Sequence, residues 1–175
     1  CEELWYEFAA IGVCASKPSV GERDFQVAGQ REIIRFEILR LPSEATPGLR
    51  TFICRHLDPG LVYHADFLDH DNTAHTRRAV TVVVDDPMAL AEPYELLLGK
   101  PDITEGSALF ETDNGVLQFA TAHWIKQNLW PGYSVARGPA SFLTVGVRDL
   151  CRAEKLAADR GFTIHAVGDR RLLVN

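Results

Sequence analysis

"RAVTVVVDDPMALAEPYELLLGK" (residues 78–100) decides the fold class. Ala79 to Val84 is a β-branched run and reads as a strand. Asp86 offers a carboxylate to the unbonded N–H groups of a helix start, and Pro87 fits the first turn, where its missing N–H costs nothing. Leu90, Tyr94 and Leu97 recur at helical spacing, and Gly99 stops the helix. About sixty residues further on, "SFLTVGVRDLCRAEKLAADRGF" (141–162) carries the same signal. Phe142 to Val147 is the strand and Asp149 the cap. Leu150, Ala153, Leu156 and Ala157 form one apolar face, and Gly161 is the stop.

Working outward, "CEELWYEFAAIGV" (1–13) matches the helical half of a third copy, with Leu4, Phe8 and Ile11 as its stripe and Gly12 as its stop. Each helix is followed by strand-like segments. After the first come "DFQVAG", "EIIRFEILRL" and "LRTFICRHL". After the second come "SALFET" and "VLQFATAHW", joined by the hairpin signal Asp113-Asn114-Gly115. After the third come "TIHAV" and "RRLLVN", joined at Gly168-Asp169. Helices do not alternate regularly with strands, so a doubly wound fold is excluded. The expected fold is α+β, with repeated βαβββ modules pairing into curved mixed sheets and helices outside. Residues 1–75 form a partial module that lacks its first strand and ends in a His-rich loop. Residues 76–135 form the middle module and 136–175 a partial C-terminal one, with 76–175 pairing as one domain. The chain reads as truncated at both ends. The expected core is Ile33, Ile34, Phe36, Ile38, Phe52, Val80, Val82, Val84, Leu117, Phe119, Phe142, Leu143 and Val145.

The composition is that of an ordinary globular protein. The net charge is −6 with scattered acids, which argues against a nucleic-acid surface. No apolar run reaches the ~20 residues needed to span a bilayer, and no signal peptide is visible. No Gly-rich phosphate loop or dinucleotide fingerprint is present. The four cysteines lack CxxC spacing and read as reduced thiols of a cytoplasmic protein, with Cys54 a small buried hydrophobe.

"FICRHLDPGLVYHADFLDHDNTAHTRR" (52–78) holds four of the six histidines. Their spacings follow no short zinc pattern. His56 closes an apolar strand, and two readings stand: a metal ligand or general base, or a structural hydrogen bond. His70 and Asn72 lie in a polar loop that either addresses a substrate or forms an Asx-type turn, the bland reading being favoured for Asp71. His64 and His75 read as surface residues. His123 marks where a strand leaves the sheet, with Trp124 covering the edge. Glu37, alternating with Arg35, reads as part of a solvated strand face with cross-strand ion pairs.

The repeat resembles the βαβββ module of the vicinal-oxygen-chelate superfamily. Arg55-His56-Leu57, Asp58 to Tyr63 and His70-Asp71-Asn72-Thr73-Ala74 resemble a segment of glyoxalase-like-domain proteins that ends in His-Pro-Asn-Gly-Ala. The resemblance implies a metal-dependent lyase, isomerase or dioxygenase acting on a small oxygen-rich molecule. It implies His56 as ligand or base, and Arg55, His70 and Asn72 as substrate-binding residues. The cofactor would be a divalent Mn, Fe, Ni or Zn ion, with most ligands supplied by a module upstream of residue 1. Arg55 stands where relatives often have Glu or Gln, and an arginine cannot ligate a cation. The alternative is therefore a metal-free binder of a small anion or antibiotic on the same fold, which an arginine recognises bidentately. A third reading is a purely structural half that forms a homodimer through open strand edges.

Overall fold

The computed structural model describes residues 1–134, 141–168 and 170–174. The protein is mixed α+β, with ten strands and five helices among the described residues. The chain divides into two compact units, Cys1–Leu68 and Asp69–Asn175, and the division falls inside the His-rich stretch.

In the first unit, helix α1 (Glu2–Ala10) is followed by strands β1 (Ser19–Val27), β2 (Gln30–Arg40) and β3 (Phe52–His56), which form an antiparallel sheet in that order. A short helix α2 (Pro59–Val62) and a 3-10 turn (Ala65–Phe67) complete the unit. Ala28 and Gly29 close the β1–β2 hairpin with φ of 49° and 80°. Positive φ at both central residues matches the right-handed twist of the flanking strands.

The core here is smaller than expected. Phe8, Val13, Val27, Ile34 and Leu39 are buried, but Ile33 is exposed. Strand side chains alternate, so Ile33 shares the face of Arg35 and Glu37, opposite Ile34. Phe52 and Cys54 are exposed rather than buried, because β3 is the sheet edge.

The second unit opens with β4 (Ala74–Val83), which starts five residues ahead of the β-branched run. It continues through α3 (Pro87–Leu98), β5 (Asp102–Thr104), β6 (Ser107–Thr112), β7 (Gly115–Ala120) and α4 (Ala122–Asn128). Then come β8 (Ser141–Val147), α5 (Leu150–Asp159), β9 (Ile164–Ala166) and β10 (Leu172–Val174). The five-stranded sheet runs β5-β6-β7-β4-β8; β4 is parallel to β7 and antiparallel to β8. β9 and β10 form a separate hairpin, and Asp169 of their expected turn lies outside the described residues.

The helix signals hold in detail. Asp86 accepts from the N–H groups of Met88 and Ala89, Asp149 accepts from Arg152 N–H, and Gly99 and Gly161 each have φ of 81°. Tyr94 of α3 packs against Phe110 and Phe119, with ring centroids 6.1 and 4.7 Å away, and Val82 and Ala108 complete this core. Burial pushes the Tyr94 phenol up to about 12.

Val80, Leu143 and Val145 were expected inside, yet Leu143 is 62 % exposed and the other two are also exposed. Leu143 and Val145 lie on β8, which ends the sheet, Val80 of β4 pairs with Leu143 in register, and α5 packs on β9 and β10. The segment holding His123 differs too. β7 ends at Ala120, Thr121 caps a helix by accepting from Trp124 N–H, and His123 is exposed on α4. Trp124 packs on the Ala120, Ile125 and Tyr133 cluster.

Candidate functional site

The residues singled out from the sequence fall into both units. Arg55 and His56 belong to the first, and His70 and Asn72 to the second. Arg55 lies opposite Glu37 across the β2–β3 pair, its guanidinium 3.6 Å from Glu37 Oε2, as expected of a solvated strand face. His56 is half-buried. Its Nδ1 is enclosed with no hydrogen-bond partner among the described residues, and its ring meets Tyr63 edge-on at 6.1 Å. Nearby, Arg35 donates from its side chain to both carboxylate oxygens of Asp58 and from its backbone N–H to one of them. Those bonds hold the Asp58 carboxyl down at about 2.

In the second unit His70 is exposed, and its carbonyl accepts from Thr73 N–H at 2.7 Å. Asn72 forms the Asx turn, accepting from Ala74 N–H at 3.1 Å, while Asp71 meets Arg160 at 3.4 Å. Asp69, His70, Asp71, Asn72, Leu156 and Arg160 surround a depression of about 350 Å³. Thr73 has φ of 58°, in the left-handed region that L-residues rarely adopt. Its hydroxyl accepts from Asp149 N–H at 3.0 Å and donates to Asp149 C=O at 3.2 Å, and its carbonyl accepts from Arg148 N–H. These bonds offset a left-handed backbone that costs an ordinary L-residue about 1–2 kcal/mol.

A second region, absent from the sequence reading, is larger. An open groove of about 1840 Å³ runs along the five-stranded sheet to α5 and β10. The register explains its floor. Ala108, Phe110, Leu117, Phe119 and Val82 share the face that meets Tyr94, so Leu109, Gln118, Thr81 and Phe142 share the other. On that face Thr81 Oγ1 donates to Gln118 Oε1 at 3.1 Å, and Gln118 Nε2 donates to Ser107 Oγ at 2.8 Å. The three buried side chains form a polar ladder across β4, β7 and β6.

Arg78 sits between two glycines. A Cβ on Gly146 would lie 3.2 Å from Arg78 Nε and 2.6 Å from Thr76 Cγ2, and one on Gly115 would lie 3.0 Å from Arg78 C=O. Among the described residues neither Arg78 nor Arg77, both exposed in the groove, has a carboxylate partner. No sequence motif marks this pair. The signal present was the glycine in "TVGV", which a packed strand does not otherwise need.

The side chains present do not fit a divalent metal. Among the described residues no group of three or more His, Cys, Asp or Glu side chains converges. Among the buried polar side-chain atoms of the described residues His56 Nδ1 alone lacks a hydrogen-bond partner, and a cation held by one imidazole lacks most of its shell. Among the described residues no helix is long and apolar enough to cross a membrane. No protein-family model matches the chain, and no curated protein matches it.

Proposed function

We propose that the second unit binds a small organic anion in its groove, through Arg78 and without a metal supplied by these residues. The observation that carries this is the Arg78 guanidinium, without a carboxylate partner among the described residues and given room by Gly146, at the edge of a groove floored by Thr81, Gln118 and Phe142. A guanidinium with five donors takes a carboxylate or phosphate bidentately. The apolar side chains beside it favour an anion with an aromatic or aliphatic body.

In architecture, we read β4-α3-β5-β6-β7 as one βαβββ module, β8-α5-β9-β10 as the start of a second, and α1-β1-β2-β3 as the remainder of a third. Support comes from the element order and from the resemblance to the vicinal-oxygen-chelate superfamily.

A second reading keeps the glyoxalase-like enzyme. It is favoured by the enclosed, unpartnered Nδ1 of His56 and draws its remaining ligands from side chains outside the described residues.

Thermal unfolding in EDTA, against a panel of small aromatic and aliphatic carboxylates and phosphates, separates the two. The binding reading expects a saturable rise in Tm, since ligand at 100 times Kd stabilises by about 2.7 kcal/mol. Arg78→Ala should abolish the rise, while Arg31→Ala, on an exposed hairpin ion pair, should keep it. Stabilisation that needs a divalent metal and disappears in His56→Ala would favour the enzyme instead. No response to any anion would refute the binding reading.

A further inference from the structure

The Thr81–Gln118–Ser107 ladder leaves half of one amide unused. A glutamine side chain carries two N–H donors and two acceptor positions on its carbonyl oxygen. Gln118 Oε1 accepts from the Thr81 hydroxyl at 3.1 Å, and Nε2 donates to Ser107 Oγ at 2.8 Å. One N–H and one acceptor position remain without a partner among the described residues. Both flanking groups are hydroxyls, able to donate or accept, so turning the amide over leaves the same remainder. Gln118 is 8 % exposed and lies in the lining of the groove. Its two bonds come from opposite sides, β4 and β6, and hold the amide against rotation. The setting is that of a sheet interior, since β4, β6 and β7 each have a strand paired on both edges.

The register orders the groove floor. Leu109, Gln118, Thr81 and Phe142 stand side by side across β6, β7, β4 and β8. The next row on that face is Val116, Ala79 and Thr144, all small. Arg78 follows, where the β4–β8 register shifts. Three residues of strand separate Thr81 from Arg78, a rise of about 10 Å. One flat ring over Ala79 and Val116, with an anionic group at one end and a polar group at the other, covers that distance. We propose that Gln118 is the specificity-determining residue of the groove, reading a hydroxyl or carboxamide at the end of the ligand remote from its anionic group. This rests on Arg78 being the partner of that anionic group.

The unused N–H and lone pair match a group that accepts and donates at once. A hydroxyl does both, and so does a primary carboxamide; a methyl group does neither. A ligand body lying over Gln118 removes solvent from these two positions. An apolar end therefore strands both, which discriminates more strongly than a contact simply not made. The ligand class is accordingly an aromatic carboxylate with a hydroxyl or carboxamide opposite the carboxyl group.

Calorimetric titration in EDTA tests this with 4-hydroxybenzoate against 4-methylbenzoate, which has the same charge and nearly the same shape without the hydroxyl. The expected result is binding of the hydroxylated anion about tenfold tighter or more. In the Thr81→Val, Gln118→Leu, Ser107→Ala triple variant, which leaves no buried group of the ladder unpaired, the ratio of the two affinities should fall to about one. Thr81→Ser, which keeps the hydroxyl that holds the amide, should keep the ratio. Equal affinity for the two anions in the unmodified chain would overturn the proposal without recourse to any variant. So would a ratio that survives in the triple variant, folded by circular dichroism. If neither benzoate binds while another anion raises Tm through Arg78, the anion site stands and the role of Gln118 falls. If no anion binds at all, the anion site fails and the role of Gln118 falls with it.

Discussion

The Thr81–Gln118–Ser107 ladder gives a sharp test of how the sheet tolerates polar groups under the groove. Gln118→Leu removes the acceptor of the Thr81 hydroxyl and the donor to Ser107 Oγ. Thr81 is 2 % exposed and Ser107 3 %, so water cannot replace either partner. Each stranded group costs about 1–3 kcal/mol, and the added apolar surface of leucine returns part of that. The expected net loss is about 2 kcal/mol in urea unfolding. The asymmetry is the decisive part. Replacing all three, as Thr81→Val, Gln118→Leu and Ser107→Ala together, leaves no buried group unpaired. That triple variant should unfold within about 1 kcal/mol of the unmodified chain, and above the single variant. A single variant within about 0.3 kcal/mol of wild type, or a triple variant worse than the single, would refute the reasoning.

Three further outcomes follow from the same structure. Ala28→Gly should stabilise the first unit by up to about 1 kcal/mol in urea unfolding, since alanine sits there at φ of 49°. Asp86→Ala should cost about 1 kcal/mol, because the carboxylate caps two N–H groups of α3, and the same assay reads it. For Tyr94, the folded-state pKa is raised, so the unfolded phenol loses its proton first as the pH climbs. Its stabilisation is complete below pH 10 and falls between pH 10 and 12, by roughly 3 kcal/mol in total. Tyr94→Phe should flatten that part of the stability–pH curve, and an unchanged slope would contradict the assignment.

The helices and hairpins were legible because their signals are local. A cap such as Asp86, a stop such as Gly99 and a turn such as Asp113-Asn114-Gly115 each act within a few residues. The exposure of Leu143 and Val145 was not legible, because an apolar strand looks the same at the middle of a sheet and at its edge. The same holds for Phe52 on β3. Ile33 could have been excluded from the core by alternation alone, once Ile34 was placed inside. Thr121 was a readable cap, but it was masked by the β-rich run that precedes it.

The candidate site was less legible still. Histidines drew the eye to residues 52–78, where titratable groups are dense. The Arg78 environment depends on β4 lying between β7 and β8, which brings Gly115 and Gly146 to one residue from both sides. That adjacency joins residues far apart in the chain, and no spacing rule reports it.

Thr73 has a mechanical consequence. Asp149 serves two masters: its backbone N–H and C=O hold the Thr73 hydroxyl, while its side chain caps α5 through Arg152 N–H. The 69–73 loop and the first turn of α5 are therefore geared together through one residue. To swing outward, the loop must carry the helix start with it or break the Thr73 bonds to Asp149 and Arg148 at once. At the other end of α5 Arg160 meets Asp71 at 3.4 Å, so the loop contacts the helix at both of its ends.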